Sequence, residues 1–255
     1  MTPNAPIRTE SLTKRYGDDA AVRDLTFEVE RGEVFGFLGP NGAGKTTTMQ
    51  MLTTLTRPTS GEAWVAGEPV TDRDAVVDHL GYLPEEPPIH DELTGREQLE
   101  YVAGLRDLPE SRASERIREL LARFDLADDA DDRISTYSKG MKQKTALIQA
   151  LVHDPDVLFL DEPTSGLDPR AARTVRNLVS ELREEGMTVF LSTHVLPVVE
   201  ELADRVGVLH EGRLVAEGSP ESLTHRAESG EESTLEEVFL EVTSEQAERS
   251  SEFAR

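Results

Sequence analysis

The stretch Gly39-Pro40-Asn41-Gly42-Ala43-Gly44-Lys45-Thr46 has the spacing G-x-x-x-x-G-K-[ST], the pattern of a loop that cradles phosphates. Glycines let backbone N–H groups turn inward and reach phosphate oxygens with no Cβ in the way. A helix beginning at the lysine adds a partial positive charge that favours an anion. In such a loop Lys45 reaches the β- and γ-phosphates of a nucleotide, and the Thr46 hydroxyl ligates Mg²⁺. Further along, Val157-Leu158-Phe159-Leu160 ends in two carboxylates, Asp161 and Glu162, and a second β-rich run, Val189-Phe190-Leu191-Ser192-Thr193, ends in His194. Ser138 and Gly140 sit where a helix begins, a second ready anion site.

The elements that must hold these groups can be read around them. Glu33 to Leu38 is an apolar run of strand length before the loop, and Thr46 to Leu52 continues it as a helix. Ile7 to Arg15 and Leu25 to Glu30 predict the first two strands, with Lys14-Arg15-Tyr16-Gly17 between them. Gly61 to Gly67 reads as another short strand bounded by glycines. Leu80 to Leu83 runs into Pro84-Glu85-Glu86-Pro87-Pro88, which stops regular structure. From Leu93 the character changes to amphipathic helices. Thr94 and Glu97 form a capping box, Ser114 to Phe124 carries Ile117, Leu120 and Leu121 on one face, and a third helix runs from Ser138 to about Val152. Ala171 to Glu185 is again helical, and Val206 to Leu209 with Arg213 to Ala216 predicts a hairpin around Glu211-Gly212. The expected architecture is α/β: a P-loop NTPase (RecA-like) core, an antiparallel β subdomain, and an α-helical subdomain inserted over about residues 85–153. A nucleotide-binding domain over residues 7–218 precedes an acidic tail, 219–255, with one short helix started by Thr234 and Glu237.

Composition narrows the classes. The 255 residues hold 27 Lys+Arg against 50 Asp+Glu, a formal net charge of -23, which argues against any sizeable nucleic-acid-binding face. Only Lys14, Lys45, Lys139, Lys142 and Lys144 are lysines. An acidic, lysine-poor surface predicts a protein that works in high salt, such as one from a halophilic archaeon, where self-repulsion is screened. Cysteine is absent, which excludes disulfides and thiolate metal sites. No apolar run approaches the roughly 18 residues of a membrane span, and residues 1–10 have no signal-peptide core, so a cytoplasmic location is expected.

Taken in order, the motifs resemble the nucleotide-binding subunit of ATP-binding cassette (ABC) transporters, over about Ile7 to Gly218. The resemblance implies that Tyr16 stacks on adenine, that Gly39 to Thr46 is the phosphate loop (Walker A), and that Thr47 also binds ATP. It implies that Asp161 holds Mg²⁺ with Thr46, and that Glu162 polarises the attacking water as general base. Asp168 belongs to the loop Ser165-Gly166-Leu167-Asp168 that crosses between subunits, and His194 is the switch histidine facing the γ-phosphate. Tyr137-Ser138-Lys139-Gly140-Met141 resembles the signature Leu-Ser-Gly-Gly-Gln, with Tyr137, Lys139 and Met141 as departures. Lys139 adds a cation near the expected γ-phosphate. This variant and the ending Thr234 to Leu240 are similar to export-type subfamilies. A further departure is Leu83-Pro84-Glu85-Glu86 where the family carries a glutamine. Glu85, or else Glu86, takes that place, and a carboxylate there can ligate Mg²⁺.

In this family the phosphate loop and signature lie at opposite ends of the subunit, so two copies complete two ATP sites. The implied function is an ATP-binding and ATP-hydrolysing subunit that powers a separate integral-membrane permease, at the inner face of the cell membrane and in the export direction. Two other classes compete: a soluble ABC ATPase acting on nucleic acid or ribosomes, and a nucleotide sensor without transport. The single cassette and the negative charge argue against the first, and Glu162 against the second.

Overall fold

The computed structural model describes residues 5–224, 236–237 and 239–240. The chain opens with β1 (Ile7–Tyr16) and β2 (Asp19–Val29), then β3 (Val34–Leu38), α1 (Lys45–Leu52), β4 (Ser60–Val65), β5 (Glu68–Pro69), α2 (Arg73–Val76) and β6 (Leu80–Leu83). Three longer helices follow: α3 (Gly95–Leu105), α4 (Glu110–Arg123) and α5 (Lys139–Leu151). The remainder alternates: β7 (Val157–Asp161), α6 (Pro169–Glu184), β8 (Thr188–Thr193), α7 (Leu196–Leu202), β9 (Arg205–His210), β10 (Arg213–Gly218) and α8 (Pro220–Thr224).

Two sheets result. One is antiparallel, in the order β2-β1-β4-β5. The other, β10-β9-β3-β8-β7-β6, is parallel except for the β9–β10 hairpin. β3, β7 and β8 are buried at every position, as expected of central parallel strands covered on both faces. The antiparallel sheet covers one face through a group of phenylalanines. Phe27 of β2 stacks on Phe35 of β3 with ring centroids 5.5 Å apart, and Phe37, Phe159 and Phe190 close the cluster. On the other side α3 to α6 pack Leu99, Ile117, Leu147 and Val179 into one continuous core with Leu158, Leu160 and Leu191 of the sheet. Leucine and β-branched residues on one stripe of each helix account for this side.

Local chemistry fixes the ends. Thr94 and Glu97 form the reciprocal capping box of α3 that the sequence predicts. Asp168 caps α6 by accepting from the Arg170 and Ala171 N–H groups, with Pro169 in the first turn. Glu211 and Gly212 both take positive φ, 45° and 78°, in the tight turn of the β9–β10 hairpin. β2 begins earlier than its apolar pattern predicts, because its first residues pair with the end of β1 up to Tyr16↔Asp19. Residues 236–237 and 239–240 are helical, and Phe239 packs against the cluster that holds Val206 and Val208; Thr234, the expected cap of a helix in the tail, lies outside the described residues.

Candidate functional site

The C-terminal ends of β3, β7 and β8 converge, as ligand sites do in parallel α/β sheets. From β3 the chain turns through the glycine loop into α1. Gly44 stands at φ 105°, and a Cβ there would lie 2.4 Å from the Ala21 carbonyl oxygen, so only glycine fits. No side chain caps α1, which leaves its first N–H groups for a ligand. Lys45 is buried with its ammonium donating to the Gly39 oxygen at 2.8 Å and the Pro40 oxygen at 3.3 Å.

β7 ends in Asp161, whose side chain is 1% exposed and whose Oδ1 has no hydrogen-bond partner. Burial pushes its carboxyl above the usual range, and Glu162 and Glu85 push the same way, against Ser192 and Thr46. The next residue, Glu162, takes φ 48°, a left-handed angle that costs a non-glycine residue energy and recurs at functional sites. Its N–H donates to the Ser192 oxygen, and its Oε1 lies 3.6 Å from the Lys45 ammonium. β8 supplies the rest: Thr193 Oγ1 donates to Glu162 Oε2 at 3.0 Å, and His194 Nδ1 is 2.8 Å from Glu162 Oε1. Glu162 is thus held by three side chains from two other elements.

Lys45, Glu162 and His194 face one cavity of about 450 Å³, lined also by Ala21, Asn41, Gly42, Gly44, Thr46, Thr47, Glu85 and Ser165. Of the two candidates after Leu83, Glu85 is in this lining and Glu86 is not. Sequence reasoning had no role for Thr193 or Ala21, and it placed Ser165 only in the loop that crosses between subunits, whereas Ser165 lines this subunit's own cavity. Thr193 could have been found, since a hydroxyl one residue before His194 on a buried strand needs a partner; Ala21 carries no sequence signal.

Tyr16, Ser138, Gly140 and Asp168 do not line the cavity. Tyr16 is 52% exposed at the tip of β1, with the Lys14 ammonium 5.1 Å from its ring centroid. Ser138 caps α5 by accepting from the Met141 N–H. Asp168 spends its Oδ1 on the cap of α6. Tyr137, which takes the place of the family's leucine, is buried and donates its hydroxyl to the Asp129 oxygen. Met141 at the glutamine's place packs against the helical core.

The residues present fit a hard divalent cation. Asp161 offers an unpartnered buried carboxylate oxygen, and Thr46 and Glu85 add oxygen donors from the cavity wall. Among the described residues no three His, Cys, Asp or Glu side chains gather closely enough to hold a metal alone. Phosphate and water oxygens would complete its coordination.

A parallel sheet with a glycine loop opening α1 after β3, and carboxylates at the end of β7, one strand removed across β8, defines a P-loop NTPase. The comparisons narrow this further. The family model described as "ABC transporter" matches residues 22–165. The daunorubicin resistance ATP-binding protein DrrA3 of Streptomyces coeruleorubidus is 44% identical over 225 residues, which is 88% of this chain and 71% of that protein. The Nod factor export ATP-binding protein I of Burkholderia lata is 40% identical, over 87% of this chain and 73% of its own length. A solved structure described as the ATP binding subunit of an ABC transporter superposes with a TM-score of 0.82 at 32% identity, covering 93% of this chain and 99% of that one. The chain belongs to the ABC transporter ATP-binding family, whose members hydrolyse ATP to drive transport.

Proposed function

We propose that this chain binds ATP in the cavity above β3 and hydrolyses it to power a separate membrane permease, in the export direction. The carrying observation is Glu162, held by Thr193 and His194 with one oxygen toward Lys45 at the mouth of the phosphate loop. Export is supported by the relatives, one a daunorubicin resistance protein and another a Nod factor export protein. A permease partner is supported by family membership, and among the described residues no helix is long and apolar enough to cross a membrane.

The chemistry follows from the geometry. The loop N–H groups and the start of α1 bind the phosphates, and Lys45 exchanges its carbonyl contacts for β/γ oxygens. Thr46, Asp161 and Glu85 would hold Mg²⁺, which supplies charge neutralisation on the γ-phosphate. Glu162 accepts a proton from the water that attacks the γ-phosphorus as the bond to the ADP oxygen breaks, and His194 fixes its carboxylate and faces the γ-phosphate. Tyr16 stacks on the base. Ser138, Gly140 and Asp168 face outward to complete the site of a second copy in an ATP-sandwich dimer, which explains why they lie outside this subunit's own cavity.

The partner claim is tested by purifying the tagged chain from detergent-solubilised membranes of its own host. A multi-span protein recovered in constant ratio, with ATP turnover raised in the complex, is the expected result. Recovery with ribosomes or nucleic acid, and no multi-span protein, would overturn it.

A further inference from the structure

Glu162 stands in a backbone conformation it would not take on its own. Its φ of 48° is left-handed, and a non-glycine residue keeps such an angle only where its surroundings over-determine it. On the upstream side the restraints come from the sheet. Asp161 belongs to β7, the Glu162 N–H donates to the Ser192 oxygen, and Thr193 and His194 meet the carboxylate. On the downstream side the chain must leave the sheet in a turn. The Ser165 N–H donates back to the Glu162 oxygen at 3.0 Å, which closes a four-residue turn with Pro163 and Thr164 at its centre. Pro163 has no N–H, so its backbone can be anchored by a hydrogen bond only through its carbonyl.

That anchor comes from α5. Gln143 is 7% exposed, and its Nε2 donates to the Pro163 oxygen at 2.8 Å. Pro163 is buried as well, and a buried carbonyl that loses its donor is costly. The oxygen belongs to the central peptide of the turn. Its donor therefore fixes how that peptide stands, and with it the angle at which Glu162 leaves β7. Gln143 does not line the cavity, so it has no direct contact to make with a nucleotide there. The geometry points to Gln143 as a positioning residue for hydrolysis: through the Pro163 carbonyl it holds Glu162 in its left-handed conformation and so keeps the carboxylate aimed at the attacking water. The inference rests on Glu162 being the general base.

The test is turnover and unfolding of the full chain. Wild type is compared with Gln143→Met, Gln149→Met, Glu162→Gln and the double variant of Gln143→Met with Glu162→Gln. Methionine keeps the length of the side chain and removes the donor. Gln149 is the control: it lies on the same helix, is 9% exposed, and accepts from Gln98 Nε2 of α3 at 2.8 Å rather than touching the turn. Both methionine variants should lower the midpoint of urea unfolding, since each breaks a buried hydrogen bond. Only Gln143→Met should lower kcat, by roughly ten- to a hundredfold, the scale of a misplacement of about 1 Å. Its dissociation constant for Mg-ATP should stay within about threefold, because the phosphate loop is untouched. On the Glu162→Gln background the same substitution should cost less than about threefold in the residual single-turnover rate, because a residue that acts through the base has nothing left to position. Should Gln143→Met not fold, Gln143→Asn, which draws the amide back by one methylene, is measured in its place against the same expectations. A wild-type kcat in the Gln143 variant, an equal loss in Gln149→Met, or the full loss repeated on the Glu162→Gln background overturns the proposal and leaves Glu162 as the base. Turnover of Glu162→Gln at the wild-type rate would overturn the base itself, and this inference with it.

Discussion

Glu162 shows how far single residues could be read from sequence. The carboxylate pair after Val157-Leu158-Phe159-Leu160 and the histidine after the next β-rich run were both visible, because strand ends in a parallel sheet collect at one edge. Their contact was not visible. That His194 touches Glu162 at 2.8 Å, with Thr193 on the other oxygen, depends on β7 pairing with β8 in the register Asp161↔Ser192. Sequence spacing gives no access to that register. The contact makes His194 a positioning residue for the base in the free subunit. His194→Ala is expected to lower kcat by about a hundredfold, the usual size of a disturbed general-base contribution. The ATP dissociation constant should hold within about threefold, since His194 binds no more than one edge of the nucleotide. Steady-state turnover with titration of Mg-ATP checks this; a loss confined to affinity would assign His194 to binding instead.

Among the elements, the helices with capping boxes and long apolar stripes were legible, and the short ones were not. α7 offers only Leu196 to Leu202 with a proline in its first turn, too little periodicity to separate from a loop. β5 is two residues long and exposed, and its pairing with β4 comes from the fold rather than from its own pattern. The junction of α5 with β6 matters to the site, because β6 delivers Glu85. His153, just past α5, lies with Nε2 2.9 Å from the Leu80 oxygen at the start of β6. Burial, helped by Arg106, pushes its pKa from 6.5 down to about 4. The folded protein therefore keeps this imidazole neutral over a range in which the unfolded chain takes up a proton. The stability it confers is present above pH 6.5 and is lost as pH falls toward 4. In urea unfolding at pH 7 and pH 5, His153→Gln is expected to lose about 2 kcal/mol less than wild type on acidification. Equal losses would show that His153 is not titrating between the two states.

At the scale of the whole molecule, the antiparallel sheet and the helical layer were expected from the sequence, but the way they meet through Phe27, Phe35 and Phe190 was not. Those residues lie far apart in the chain, and each reads alone as an ordinary strand residue. Charge is the molecule's largest unbalanced property. Two copies at -23 each must approach around anionic nucleotide if the outward-facing Ser138 and Asp168 complete a second subunit's site. The Debye length falls from about 10 Å at 0.1 M salt to about 3 Å at 1 M, so association should strengthen as KCl rises toward molar levels. A dimer that weakens steadily over the same series would contradict adaptation to high salt. The claim that joins site, family and assembly is that ATP held unhydrolysed closes two copies on each other. Light scattering of Glu162→Gln beside wild type in high KCl, with and without Mg-ATP, tests it directly. The variant should be a monomer without nucleotide and a lasting dimer with it, whereas wild type returns to monomer as the ATP is consumed. A mass that ignores ATP, or a wild type and variant that behave alike, would contradict the account.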